Sequence, residues 1–267
     1  MDATQTKEQV LAIDGDTLAY RTAAVCEDHF EGAAFAIVRS TLKDIVTDTG
    51  VTKVRIYLSG QDNFRYKVAK TKPYKGNRAT MVRPRYLEAT REFLVEFCNA
   101  IVVNGYEADD AIATDMVVNG AIHVGVDKDM FQIAGRHYNY VKKEWIEISP
   151  EQATLNLYRQ ILMGDTSDHI PGLPKVGEKK AFNAIQNAET AEEDAMEMYK
   201  TVVGLSMPGV NWIEYMAEQQ SLVKMVTDVE LDFDKFYEVE PETEGFVGHD
   251  APAETTEEPR EKLEVKL

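Results

Sequence analysis

The chain has 267 residues, enough to bury a full core in one or two domains. Its 44% hydrophobic and 28% charged content is that of an ordinary globular protein, and no apolar run approaches the length of a membrane span. The net charge of −17 argues by its sum against a nucleic-acid partner, and two cysteines with five scattered histidines exclude a disulfide framework or a zinc site of common spacing.

The segment MDATQTKEQV does not read as a signal peptide, so a reducing, cytoplasmic setting is expected. A first Val/Ile-rich run, VLAID (10–14), is followed by a helical pattern with Phe35, Val38, Leu42 and Ile45 on one face. A second run, VRIYLSG (54–60), leads into a stretch of one charge sign. Between Arg65 and Leu87 there are eight bases and no acid, interleaved with Tyr66, Tyr74 and Tyr86. A solvated face is the commoner meaning of a charge run; the length and the aromatics suit a phosphate backbone better. A helix is expected near 84–97, then a run AIVVNG (100–105), a helix over ADDAIATDMVV with Ile112, Met116 and Val117 buried, and a run AIHVGVDKD (121–129). This alternation predicts an α/β fold with a mostly parallel central sheet flanked by helices.

Acids mark the ends of three of those runs. Asp14 closes the first, Glu107, Asp109 and Asp110 follow the third, and Asp127 and Asp129 close the fourth. Acids at a helix start are ordinary caps that meet the positive end of the dipole. Capping does not explain why three separate segments share the habit. In open α/β sheets ligands bind beyond the carboxyl ends of the strands, so these side chains are expected in one crevice.

From Ser149 the chain reads as helical, with Ser149 as N-cap and Pro150 at the first helical position. Then comes GDTSDHIPGLPKVGEKKAFNAI, in which Gly172 and Gly177 bracket a tight turn before a helix and Lys175, Lys179 and Lys180 supply charge. Such a turn is usually structural, and it also presents backbone N–H groups to an anion. Asp165 and Asp168 lie just before it. Beyond Tyr237 the chain holds ten acids and three bases with repeated proline, and a disordered acidic tail is expected. The expected division is an α/β core at 1–148, a helical region at 149–237 and the tail at 238–267.

Eight carboxylates without a matching His or Cys pattern specify a hard divalent cation, Mg²⁺ or Mn²⁺. They are too many for one Mg²⁺; two ions about 4 Å apart are the common device for cutting phosphodiesters.

AIDGDTLAYR, FRYKVAKTKPYKGNR, GYEADDAIAT, GVDKDMFQI and GDTSDHIPGLPKVGEKKA, in this order, resemble the 5′-nuclease family: flap endonucleases, bacteriophage 5′-to-3′ exonucleases and the 5′-nuclease domain of bacterial DNA polymerase I. The resemblance covers most of residues 10–187. It implies a PIN-like 5′-nuclease core, a phage or bacterial source, and hydrolysis at 5′ ends or flaps of duplex DNA. RNA–DNA hybrids are a further implied substrate, and replication proteins are implied partners. Asp14, Glu107, Asp109 and Asp110 would hold one Mg²⁺ and Asp127, Asp129, Asp165 and Asp168 the other, with Mn²⁺ substituting. Lys75 and Arg78 would act on the scissile phosphate. Tyr20, Arg21, Arg65 and Tyr74 would meet DNA, and residues 172–185, with Gly172, Lys175, Gly177, Lys179 and Lys180, resemble a helix–turn–helix that grips duplex DNA. Residues 78–91 are shorter than the helical arch of some members. The chain departs from the family after the second run, where an Asp is usual and Leu58 or Ser59 stands. Asp62 is the nearby candidate; a solvent-facing Asp62, with Ser59 or a water in the outer shell of the first metal, is the expectation.

Overall fold

Strand β1 (Leu11–Asp14) is buried along its whole length at the centre of a seven-stranded sheet. In this computed structural model, which describes residues 8–241, β1 has β2 (Lys53–Ser59) on one side and β4 (Ile122–Val124) on the other, both parallel to it. β3 (Ile101–Val103) extends the sheet beyond β2, and β5 (Gly135–Asn139) beyond β4, also in parallel. β6 (Glu144–Ile148) and β7 (Tyr237–Glu238) add antiparallel edges, so the sheet is mixed around a parallel centre. The chain first builds outward to β3 and then returns to the far side of β1. The strand order therefore reverses at β1, and Asp14 lies at that reversal, where such sheets open a crevice.

Alternation of side chains divides two cores. Leu11, Ile13, Val54, Ile56 and Leu58 pack against α1 (Gly15–Val25), α2 (Glu31–Thr49) and α4 (Leu87–Phe97) through Leu18, Val38, Leu42, Phe93 and Leu94. Ala12, Tyr57 and Val103 face the other way, onto Ala108, Ala111, Ile112 and Met116 of α5 (Ala108–Asn119). Truncating Leu42 or Ile13 to Ala would cost about 2–5 kcal/mol, because neither site can collapse around the missing atoms. On the α5 side stands a third cluster. It is formed by α6 (Pro150–Met163), α7 (Glu178–Ala184), α8 (Ala191–Ser206) and α9 (Trp212–Val223), centred on Ile161, Leu162, Tyr199 and Tyr215. α6 begins as expected, with Ser149 accepting from Gln152 N and Gln152 reaching back to Ser149 N.

Several expectations need correction. Val117 is 60% exposed, because α5 packs on the sheet through its alanines and Ile112 and has turned outward by its last turn. The helix expected near 84–97 starts at Leu87; residues 79–86 form a loop tied to the α1–α2 connection, where Arg85 N donates to Glu27 and Tyr86 OH to the His29 carbonyl. The segment 225–239, expected with the helical region and the tail, returns to the sheet instead. Met225 and Val229 join the α5 core, Arg55 holds the Phe233 carbonyl, and Val239 N donates to Thr52 O. The rest of the expected tail, 242–267, lies outside the described residues. Among the described residues no helix is long and apolar enough to cross a membrane.

Candidate active site

A cleft of about 1380 Å³ runs across the carboxyl edge of β1, β2 and β4. Seven of the eight expected acids line it: Asp14, Glu107, Asp109, Asp127, Asp129, Asp165 and Asp168. Asp14 caps α1, accepting from Thr17 N at 2.9 Å, which points its carboxylate past the strand end. Asp127 and Asp129 follow β4, with Asp129 N donating to Asp127 at 2.9 Å. Ser167 fixes Asp165 through its N–H and its hydroxyl, both at 2.7 Å.

Packing these acids together is costly, and their ionisation shows it. Burial, then Asp14, Asp127 and Glu107, raises the Asp109 carboxyl well above its ordinary range. Burial also raises Asp14, with Asp127 adding to it, and burial with Asp127 and Asp165 pushes Asp129 up to about 7. As placed, no three Asp, Glu, His or Cys side chains among the described residues surround a common point. Positive charge reaches the acids through Lys75 and Arg78. Lys75 Nζ lies 2.5 Å from Glu107 and 3.6 Å from Asp168, and Arg78 lies 2.5 Å from Asp168. Burial opposes the Lys75 charge, and the two carboxylates more than offset it. Lys75 sits in left-handed backbone (φ 52°) at the start of a short 3-10 turn, which is what aims it back into the cleft. All-oxygen donors that resist ionising together suit a hard divalent cation.

Asp110 is the exception among the acids. It is fully buried outside the cleft, where both oxygens bind Arg65 (2.6 and 2.8 Å) and also accept from Glu107 N and Val226 N. Its acceptor capacity is spent on an internal ion pair. Arg65, expected on DNA, is 2% exposed and also donates to the Leu222 and Lys224 carbonyls, so it pins the end of α9 to α5. Tyr74 is likewise nearly buried, at the wall of the cleft; its hydroxyl lies 2.9 Å from Glu107 and 2.8 Å from Asp168, so it orients carboxylates.

The remaining expected DNA contacts are dispersed. Tyr20 lines the cleft and is 41% exposed. Arg21, one residue on, turns to a separate small pocket with Asp44, Asp48 and Tyr140. Gly172 is buried where the chain crosses Gly164; a Cβ there would meet Gly164 N at 2.3 Å, and its own N–H and carbonyl bind Gln219 and Tyr215. It has no donor left for a phosphate. Lys175, Gly177, Lys179 and Lys180 are exposed around the start of α7, with Lys180 Nζ on the Lys175 carbonyl. Asp62 is exposed in left-handed backbone (φ 63°) and does not line the cleft, whereas Ser59 does.

Two charged cleft residues that pair with each other, Asp16 and Arg91, are among those that went unassigned from sequence. Asp16, in the first turn of α1, accepts from Ser59 N at 2.9 Å, and Arg91 of α4 pairs with Asp16. Asp16 stood in view beside Asp14, but nothing in its spacing separates a cap from a site residue.

No protein-family model matches the chain. It is 29% identical over 202 residues to a 5′-3′ exonuclease from Buchnera aphidicola, covering 66% of this chain and 69% of that protein. It is 26% identical over 258 residues to the flap endonuclease Xni of Pseudoalteromonas translucida, covering 85% of this chain and 96% of the relative. Against DNA polymerase I of Pseudomonas aeruginosa it is 30% identical over 65% of its own length, but spans only 22% of that protein. Among solved structures, the bacteriophage T5 flap endonuclease in complex with DNA and metal ions matches in fold with a TM-score of 0.58 at 17% identity, over 80% of this chain and 86% of that one.

Proposed function

The chain is a homologue of the 5′-to-3′ exonucleases and flap endonucleases, and we propose that it hydrolyses phosphodiester bonds at 5′ ends or flaps of duplex DNA with two Mg²⁺ ions. The observation that carries this reading is the cleft itself. Seven acids from separate segments meet at the strand-order reversal, with Lys75 and Arg78 among them.

Asp14, Glu107 and Asp109 would hold one ion and Asp127, Asp129, Asp165 and Asp168 the other. When bound, the ions supply an activated water and offset charge on the attacking and leaving oxygens. Lys75 and Arg78 meet the scissile phosphate, where their charges count most as the phosphate gains charge toward the transition state. Tyr74 keeps Glu107 and Asp168 facing inward. Lys175, Lys179 and Lys180 contact the duplex backbone in a helix–turn–helix element. Mn²⁺ substitutes for Mg²⁺. Incubation of end-labelled nicked duplex, 5′-flap DNA and RNA–DNA hybrid tests the reading. Release of short 5′ products in Mg²⁺ and none in EDTA is expected; cutting in EDTA, or of single-stranded RNA alone, would overturn it.

A further inference from the structure

The cleft has two walls on opposite faces of the sheet. Lys75 and Arg78 stand on the wall formed with α5 and the helical region; α1 and α4 form the other, where the reaction described above uses no residue. A DNA strand crossing the carboxyl edge of the sheet must pass both.

Arg91 lies on the α1–α4 wall, lines the cleft and keeps 23% of its side chain exposed. One terminal nitrogen of its guanidinium pairs with Asp16 Oδ1, and the other donates to the Ser59 carbonyl at 2.6 Å. Asp16 is in turn fixed by Ser59 N through its second oxygen. Glu88 is only a distant neighbour, 4.0 Å from Nε, and shares its carboxylate with Arg83, which also lines the cleft. A guanidinium has five N–H groups in a rigid fork, and the two bonds to Asp16 and Ser59 leave three of them uncommitted. A plain staple between α4 and β2 needs neither the exposure nor the free donors. An oriented guanidinium with free donors on the wall of the cleft has the geometry to take a phosphate.

We propose that Arg91 binds a backbone phosphate of the single-stranded 5′ segment on the α1–α4 side of the cleft, and that Asp16 is the positioning residue that orients its guanidinium. The proposal rests on the nuclease reading for its substrate. Its test is made by binding in EDTA, so that it stands apart from cleavage. If the wild type binds but does not cut in Mg²⁺, the nuclease reading alone falls.

Fluorescence anisotropy would compare a duplex bearing a single-stranded 5′ arm with the same duplex blunt-ended, from 50 to 200 mM KCl. Arg91→Ala should weaken binding of the armed duplex several-fold and lower its logarithmic salt slope by about 0.7, one phosphate contact on a single strand. The blunt duplex should be bound as by wild type, which general damage to the fold would not permit. Arg91→Lys, the variant to use if the alanine form misfolds, should keep the slope and lose part of the preference for the arm. Asp16→Asn should also keep the slope and lose part of the preference, with Asp16→Glu restoring it. Wild-type preference and slope in both Arg91 variants would overturn the proposal, as would equal losses on the two duplexes.

Discussion

Asp110 separates a structural acid from a chemical one, and Asp110→Ala would show it. Its carboxylate is wholly buried, with Arg65 at 2.6 and 2.8 Å and two backbone donors, Glu107 N and Val226 N. Removing one partner of a buried ion pair typically costs about 3–5 kcal/mol, because the remaining charge is left uncompensated. Each orphaned N–H adds about 1 kcal/mol or more unless water reaches it. Against a total stability of about 5–15 kcal/mol this is a large share. For a chain of this size it corresponds to a fall in Tm of roughly 10 °C or more. The assay pairs thermal melting with cleavage of a 5′-flap substrate well below the melting range. Loss of stability with the surviving folded fraction still cutting is the expected result. A Tm within about 2 °C of wild type together with abolished cleavage would make Asp110 a metal ligand and refute the ion-pair account.

Four other outcomes follow from the same geometry. Asp127→Asn should nearly abolish cleavage and leave DNA binding intact or slightly tighter, since a negative charge leaves the path of the phosphate; unchanged turnover would remove Asp127 from the site. Lys75→Ala and Arg78→Ala should lower turnover far more than affinity, and an effect on affinity alone would reassign both to binding. Asp62→Ala should lose less than about tenfold in rate at saturating Mg²⁺ while Asp14→Ala loses nearly everything; comparable losses would make Asp62 a ligand. Finally, Asp129, Asp14 and Asp109 carry raised pKa values, so at these carboxyls the folded state binds more protons than the unfolded one, while buried His123 and His137, with lowered values, act in the opposite sense. In EDTA, Asp129→Asn should therefore gain Tm relative to wild type as pH rises from about 4 through about 7, and Mg²⁺ should raise the wild-type Tm more at pH 8 than at pH 5.5. A Tm difference between the two proteins that does not change over that range would contradict the crowding of these acids.

The parallel centre of the sheet was legible because its strands are short buried runs separated by helical periodicity, and β1, β2 and β4 lie where those runs stand. The β5–β6 hairpin was not legible. Its turn passes through Lys143 in left-handed backbone (φ 55°), where Gly or Asn would have given the usual signal. The edge strand at Tyr237–Glu238 was hidden for another reason: it begins an acidic, proline-rich stretch, and only its pairing with Lys53 and Val54 makes it a strand. Helix α1 carried a readable mark in Asp14, whose capping of Thr17 N is a local bond. That acid had already been assigned to chemistry; the structure shows it as the cap of α1 and on the wall of the cleft.

The division of labour within GYEADDAIATDM shows what a linear pattern cannot hold. Glu107 and Asp109 reach the cleft, while Asp110 and Asp115 turn inward on α5. Asp110 takes Arg65, and Asp115, five positions on, takes Arg55 at 2.9 Å together with the Tyr57 hydroxyl. Both arginines also hold backbone carbonyls near the C-terminal end of the described chain, Leu222 and Lys224 at the end of α9 for Arg65 and Phe233 of the returning segment for Arg55. The helix therefore fixes the C-terminal segment with one set of acids and offers the other set to the strand ends. Neighbouring acids of the same type are told apart only by which basic residue, 45 or 60 positions away, arrives beside them. The eight bases between Arg65 and Leu87 divide in the same way, Lys67, Lys70, Lys72 and Arg85 staying exposed and the other four taking separate places. Arg65 goes to the core, Lys75 and Arg78 to the carboxylates, and Arg83 to the α4 wall, so a run that reads as one basic patch serves three distinct environments.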